Sequence, residues 1–425
     1  MKVSVLSEEL IIPSCATPSN LNTYRLSFID QQLPPYYIPL ILYYTYHESS
    51  TITQATMTIK LKTALSQTLA HFYPLAGRLV KNQNTIDCAD QGVWFSVARV
   101  ESSLLDIIKC PMIEELNQLV SVGIGSSYTE EQLAIQVNLF DCGGIAIGVC
   151  VSHRIADACS FSSFVSHWFA KAKGEISLNG PVLDSAALFP PMESHEYSRN
   201  PKDPTGQAPL QSLVTKRFEF SSLAINKLKR EVIKDSSTVV NPTKVEVVTA
   251  LIWKCGTEAL DDCKGSVAFH AVNFRRKMEP PLEDHQFGNI FQMASAVTNQ
   301  TADMAGLVAE LRGSFGKIDS GYLKSLTGEN GVEIAKANFK QIGKVMIQEG
   351  VGVFRFSSWC RFSVNEGDFG WGKPVWISSA DFNDENCIIL IDSRFDDGIE
   401  AWVVMDEEHM KKFEQNAELL AIMAS

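Results

Sequence analysis

Two runs of strand-like residues meet at a four-residue turn in the first half of the chain. Leu133 to Phe140, Asp141-Cys-Gly-Gly144 and Ile145 to Ser152 predict a β-hairpin. On its second strand Ile145, Ile147, Val149 and Val151 share one face, and His153 falls in the same phase. The histidine is therefore expected to leave the sheet toward the apolar interior. The period then changes to 3.6: Phe161, Phe164, Val165, Trp168 and Phe169 form a helical stripe that opens at Asp157 and stops at Gly174. Upstream, Leu61, Leu65, Leu69 and Phe72 predict a helix within Thr51 to Phe72, closed by Tyr73-Pro74, and Ile38 to Tyr46 reads as a buried strand.

The second half repeats the alternation. Lys216 to Phe220 predicts a strand, followed by a helix from Leu223. Thr243-Lys-Val-Glu246 is a capping box that opens a helix carrying Val247, Val248, Leu251 and Ile252. Val267 to Phe274 is a strand. Cys387 to Ile391 and Ile399 to Val404 flank Asp396-Asp-Gly398 as a second hairpin, and Asp406 caps a final helix. Between the halves, residues 190–211 are polar and proline-rich, with no hydrophobic period, and read as a linker. Mixed strands and helices in two halves of similar size predict an α/β protein of two domains, 1–189 and 212–425. The length of 425 residues suits two domains.

Charge and cysteine usage narrow the function. A net charge of -12 disfavours nucleic acid, whose phosphates require a basic footprint. There is no run of 18 apolar residues and no apolar run before Glu8-Glu9, so neither a membrane span nor a secretory signal is expected. The ten cysteines include no CxxC pair and do not combine with the eight histidines at metal-ligand spacing. No metal site is expected, and reduced thiols in the cytoplasm are the simplest account.

The chemistry concentrates at His153-Arg-Ile-Ala-Asp157. A titratable ring at a strand–helix junction in a dry setting suits a general base. Read alone, such a histidine is more often a satisfied core residue, and Asp157 fits an N-cap. Gly367-Asp-Phe-Gly-Trp-Gly372 marks a backbone turn that side chains would forbid. No kinase set, GxSxG elbow, Walker loop or dinucleotide fingerprint accompanies these segments. The cluster Arg275-Arg-Lys277 follows a strand directly. It fits a solvated strand end, or an anion site or partner for a buried carboxylate such as Asp157.

Together these segments resemble the plant BAHD acyl-CoA-dependent acyltransferases over nearly the full length. The likeness runs from Pro13-Ser14 through Asp30, Tyr73 to Arg78, Asp90 with Gly92, and Asp141 to Gly144, and reaches His153 to Asp157. It continues through Asn273 to Lys277, Pro280-Pro281, Phe287-Gly-Asn289, Ser358 to Arg361 and Asp368 to Gly372. Within the family the chain looks most like the branch that mostly acetylates alkaloid hydroxyls, which also holds capsaicin-type and acylsugar enzymes. Gln286-Phe-Gly-Asn-Ile290 departs from the YFGNC of the malonyl-transferring branch, and Ala158 stands where many members have glycine.

The resemblance implies two chloramphenicol-acetyltransferase-like domains, each a mixed β-sheet with flanking helices, around a channel. A segment after about residue 372 is expected to complete the N-terminal sheet. It implies O-acyl transfer from acyl-CoA, in particular acetyl-CoA, to an alcohol in a ternary complex, with no permanently bound cofactor. His153 is the implied general base. Asp157 is implied to be structural, paired with Arg275 or else Arg276. Trp371 is implied as a candidate oxyanion donor in a loop otherwise structural at Asp368, Gly370 and Gly372. Ser358 and Trp359 are expected near the pantetheine arm, and Arg276 or Lys277 near the CoA phosphates. The same machinery serves acylsugar, terpenoid or amine acceptors. A thioesterase or a non-catalytic binding protein on this fold is the remaining alternative. A monomer is expected.

Overall fold

The computed structural model describes residues 1–45, 52–81, 83–121, 130–175, 179–192, 213–235, 238–261, 263–298, 302–382 and 384–424. The expected linker 190–211 lies outside the described residues beyond 192, as do Tyr46 and Thr51, the outer limits of two expected elements. The chain forms two units. The first is Met1–Pro201 with Glu283–Ile290 and Phe362–Phe382; the second is Lys202–Leu282 with Phe291–Arg361 and Asn383–Ser425. Beyond the segment expected after about residue 372, Glu283–Ile290 also belongs to the first unit, where the expected bounds put it in the second domain. Hydrogen bonding explains both. Trp376–Ser378 pairs with Tyr37–Tyr44, and Val182 exchanges backbone bonds with His285 and Phe287.

The first unit holds a six-stranded mixed sheet in the order Val3–Ile11, Val93–Val100, Leu133–Phe140, Ile145–Ser152, Tyr37–Tyr44 and Trp376–Ser378. The predicted hairpin is present, with Leu133 opposite Val151 and Leu139 opposite Ile145. Its second strand is buried along its whole length, and its neighbour Tyr37–Tyr44 is buried over seven of its eight residues. Both therefore read as near-continuous apolar runs. Helices Gln54–Leu69 and Ala158–Lys173 pack on each other. The Trp168 indole donates to the Leu61 carbonyl at 3.0 Å, which satisfies the polar atom of a fully buried ring. The second helix begins and ends as the sequence predicts: Asp157 is its N-cap and Gly174, at φ 80°, its left-handed C-cap.

The second unit has its own six-stranded mixed sheet, ordered Phe291–Thr298, Gly265–Asn273, Val351–Ser358, Cys387–Asp392, Ile399–Asp406 and Leu213–Phe220. The predicted capping box closes in both directions at the start of helix Lys244–Ala259. That helix buries Val247, Val248, Leu251 and Trp253 in a core shared with Phe354, Phe356 and Ile388 of the sheet. The predicted hairpin pairs Ile388 with Val403 and Asp392 with Ile399, and Asp406 caps helix Glu407–Glu414.

Candidate active site

Strand Ile145–Ser152 ends opposite Tyr37, and the chain turns through His153 to Asp157 before the helix begins. The His153 amide donates to the Tyr36 carbonyl at 2.8 Å, and its carbonyl accepts from Asn289 Nδ2 at 2.8 Å. Its ring is half-buried and meets Tyr36 edge-on, with centroids 5.5 Å apart. Burial pushes the imidazole pKa below the ordinary histidine value; the Asp157 charge and the Asn289 side chain pull the other way. The ring is thus neutral near physiological pH, as a base must be.

Asn289 is held as firmly as the histidine. Its Nδ2 donates to Asp30 Oδ1 at 2.8 Å as well as to His153, and its backbone amide donates to the same oxygen at 2.9 Å. Asp30 Oδ2 accepts from the amide and hydroxyl of Ser27 in a capping box. Its two oxygens accept four bonds, yet burial leaves its pKa raised. With its nitrogen committed, Asn289 has its amide oxygen left to meet the imidazole.

Asp157 is bound on both oxygens. Oδ1 accepts from Ser160 N at 2.8 Å, and Oδ2 from Ile290 N at 2.9 Å. The carboxylate therefore caps the helix and fastens segment Glu283–Ile290 to it. Ser160 adds to this by donating to the Gly288 carbonyl at 2.8 Å and accepting from the Gly288 amide at 3.0 Å. The roles of Asp30 and Asn289 were not assigned from the sequence. The available signal was the Ser27-x-x-Asp30 spacing, which marks a helix start and says nothing about a distant partner.

The loop at Asp368 is a packing device. Asp368 Oδ1 accepts from the amides of Gly370, Trp371 and Gly372, which holds its pKa below the usual carboxylate value despite partial burial. Gly370 and Gly372 adopt φ of 100° and 113°, a region closed to most side chains. Phe369 packs on Trp168 and Phe169, and Trp371 stacks on Phe369 beside Tyr44. This position overturns the expectation that Trp371 donates to an oxyanion at His153. Trp371 lies at the Tyr44 end of strand Tyr37–Tyr44, and His153 at the Tyr37 end. Seven residues at ~3.3 Å each separate the two ends by roughly 23 Å. A direct donor has to lie within about 3 Å of the oxyanion.

Arg275, Arg276, Lys277, Ser358 and Trp359 belong to the second unit. Arg275 is fully buried, and both its amide and its Nη1 donate to Asn273 Oδ1. Arg276 is exposed. Lys277 Nζ donates to the carbonyls of Phe315 and Ile318, at 2.7 and 3.0 Å. Its ammonium braces a loop. Ser358 ends strand Val351–Ser358, and Trp359 is mostly buried. A concavity of about 490 Å³ in this unit is lined by Lys229, Lys244, Arg361 and three aspartates, Asp392, Asp396 and Asp397. Lys244 is matched by Asp392 at 2.8 Å and Asp397 at 2.6 Å. Lys229 and Arg361 have no ion pair among the described residues.

The sequence matches the Transferase family over residues 1–420. The chain belongs to the BAHD transferase family. It is 39% identical to stemmadenine O-acetyltransferase of Catharanthus roseus, across 96% of this chain and 95% of that protein. It is 34% identical to salutaridinol 7-O-acetyltransferase of Papaver somniferum, across 97% and 96%. The vinorine synthase crystal structure superposes with a TM-score of 0.84 at 33% identity, covering 99% of this chain and 98% of that one. The Fusarium sporotrichioides TRI101 structure, crystallised with coenzyme A and T-2, shares the fold at a TM-score of 0.71 and 16% identity, across 94% of this chain and 98% of that one. The chain is thus an acyltransferase with the two chloramphenicol-acetyltransferase-like domains of its family.

Proposed function

We propose that this enzyme transfers acetyl from acetyl-CoA to a hydroxyl of an alkaloid, with His153 as general base. The observation that carries the reading is a half-buried imidazole, held neutral by its surroundings, in a chain matched to a transferase family over 420 residues. Relatives named as acting on stemmadenine and salutaridinol support an alkaloid acceptor. Relatives named as limonoid O-acetyltransferases, at 33–35% identity, support a terpenoid alcohol as the second reading.

His153 takes the proton of the acceptor hydroxyl as that oxygen forms a bond to the thioester carbonyl carbon. The carbonyl electron pair moves onto oxygen, and the tetrahedral oxyanion requires hydrogen-bond donors. Collapse expels the CoA thiolate, and the imidazolium returns its proton to sulfur. The thiol, at a pKa of about 8.5, holds that proton more firmly than imidazole at about 6.5, so the last transfer is downhill. Both substrates are bound together, with no acyl-enzyme and no permanent cofactor. An ion pair of Asp157 with Arg275 comes from the family resemblance alone and belongs to the proposal. A cytosolic monomer completes it. In support, no helix among the described residues is long and apolar enough to cross a membrane, and the cysteines form no disulfide there.

Mass spectrometry of the enzyme with acetyl-CoA and a panel of stemmadenine, salutaridinol and limonoid alcohols tests this reading. A gain of one acetyl group, lost in mild alkali, is the expected result. An alkali-stable product would signify N-acylation, and CoA release without an acceptor would signify a thioesterase. For the donor, Arg361, which has no ion pair among the described residues of the concavity, is assigned to a CoA phosphate. Arg361→Ala is expected to raise the acetyl-CoA KM about tenfold and leave the acceptor KM alone. An unchanged donor KM would remove Arg361 from the CoA site.

A further inference from the structure

A carboxylate with no exposed surface sits behind the base. Asp30 is 0% exposed, and no cation is among the groups that set its pKa. Its oxygens are met by hydrogen bonds alone, from the amide and hydroxyl of Ser27 and from the amide and Nδ2 of Asn289. Burying a carboxylate among dipoles costs free energy, and a helix cap by itself uses only one oxygen. Here Oδ2 serves the cap of helix Phe28–Gln31, while Oδ1 is turned wholly on Asn289.

That contact decides which way the Asn289 amide points. Nδ2 carries two hydrogens, and two acceptors face it: Asp30 Oδ1 and the His153 carbonyl, each at 2.8 Å. A flipped amide would set its oxygen against both. The close approach depends on Gly288, at φ 129°. A Cβ there would lie 2.9 Å from Ser185 Oγ and 3.9 Å from Asp30 Oδ1. The Asn289 side chain favours the charged form of the imidazole, as do the Asp157 charge and the backbone at His153 and Ala156. Toward a cation the amide oxygen has that sign, whereas an NH2 group would oppose it.

We propose that Asp30 is a positioning residue for His153 that acts through Asn289, fixing the amide so that its oxygen, and not its nitrogen, acts on the imidazole. The proposal rests on His153 being the base. The other titratable or charged groups around the pair have partners of their own. Asp157 is bound to Ser160 and Ile290, Arg154 to the carbonyls of Gln31 and Leu33, and the Tyr24 hydroxyl to Ser185. Tyr36 meets the His153 ring edge-on.

The test is titration of His153 by NMR on the full chain, isotope-labelled at histidine Cε1, with its signal assigned by loss in His153→Ala. In Asp30→Asn the side chain no longer accepts on both sides, and the Asn289 amide is released. The His153 titration and the acid limb of kcat/KM are expected to move to lower pH. With acetyl-CoA and the panel alcohol that gives product, kcat should fall about tenfold at an unchanged acetyl-CoA KM. Asn289→Ala should move both curves the same way, and the double variant should add nothing further. Ser27→Ala removes a cap bond and leaves both Asn289 bonds, so it should lower the melting temperature without moving either curve. An unmoved titration in Asp30→Asn or in Asn289→Ala would overturn the proposal. A shift in Ser27→Ala as large as that in Asp30→Asn would do the same. The Asn289→Ala result decides by itself where Asp30→Asn does not fold. Retained turnover in His153→Ala would instead remove the base assignment, while the titrations would still decide whether Asp30 acts on the ring.

Discussion

His153→Ala is expected to lower kcat by at least about a hundredfold while the protein stays folded, because general-base transfer supplies roughly 10²–10⁴ in rate. The ring is half-buried, and its backbone bonds to Tyr36 and Asn289 survive the substitution, so the melting temperature should barely move. The pH profile adds an independent check. Only the neutral imidazole accepts a proton, so kcat/KM should rise with pH and level off once the ring has lost its charge. Burial shifts that point below the ordinary histidine value of about 6.5. Activity should therefore hold at mildly acidic pH and fall only below it. More than about a tenth of wild-type turnover in His153→Ala would exclude the base role, since removal of such a group costs at least ~10². An acid limb above 6.5 would mean that the ring is charged by a neighbour, contrary to its enclosure.

Much of the scaffold around this residue was legible because local signals and tertiary structure agree there. The hairpin, the Asp157 cap, the Gly174 stop and the Thr243–Glu246 box each depend on residues within a few positions of one another. What the sequence hid depends on register and long-range docking. That Trp371 and His153 lie at opposite ends of one strand follows from pairing Tyr37 with Ser152 and Tyr44 with Ile145, which no local pattern encodes. Similarly, Lys277 looks like a free cation in sequence, yet its ammonium is taken up by carbonyls about 40 positions away. Asn289 and Asp30 are 259 residues apart, and neither predicts the other. Asp157 was legible as a cap, but its second oxygen was not, since Ile290 reaches it from 133 residues downstream.

That second bond sets the outcome of Asp157→Ala, which is expected to lower both stability and activity. The substitution removes the acceptor of the Ser160 amide, an N-cap loss of about 1 kcal/mol. It also leaves the Ile290 amide, at a fully buried residue, without its acceptor, which costs about 1–3 kcal/mol more. A destabilisation of roughly 2–4 kcal/mol is large against the marginal stability of a domain. It should show as a fall of several degrees in the melting temperature and as lower soluble yield. Activity follows through geometry: Ile290 is bonded to Asn289, and Asn289 holds the His153 carbonyl and faces its ring. Asp157→Asn separates the two bonds. Its amide oxygen can still cap the helix, but an NH2 group facing the Ile290 amide cannot accept from it. The Asn variant should therefore recover about 1 kcal/mol over Ala without regaining wild-type stability or turnover. Lost turnover at an unchanged melting temperature in Asp157→Ala would contradict this account. It would place Asp157 in the chemistry itself, because the structural role cannot fail without loosening the segment that it fastens.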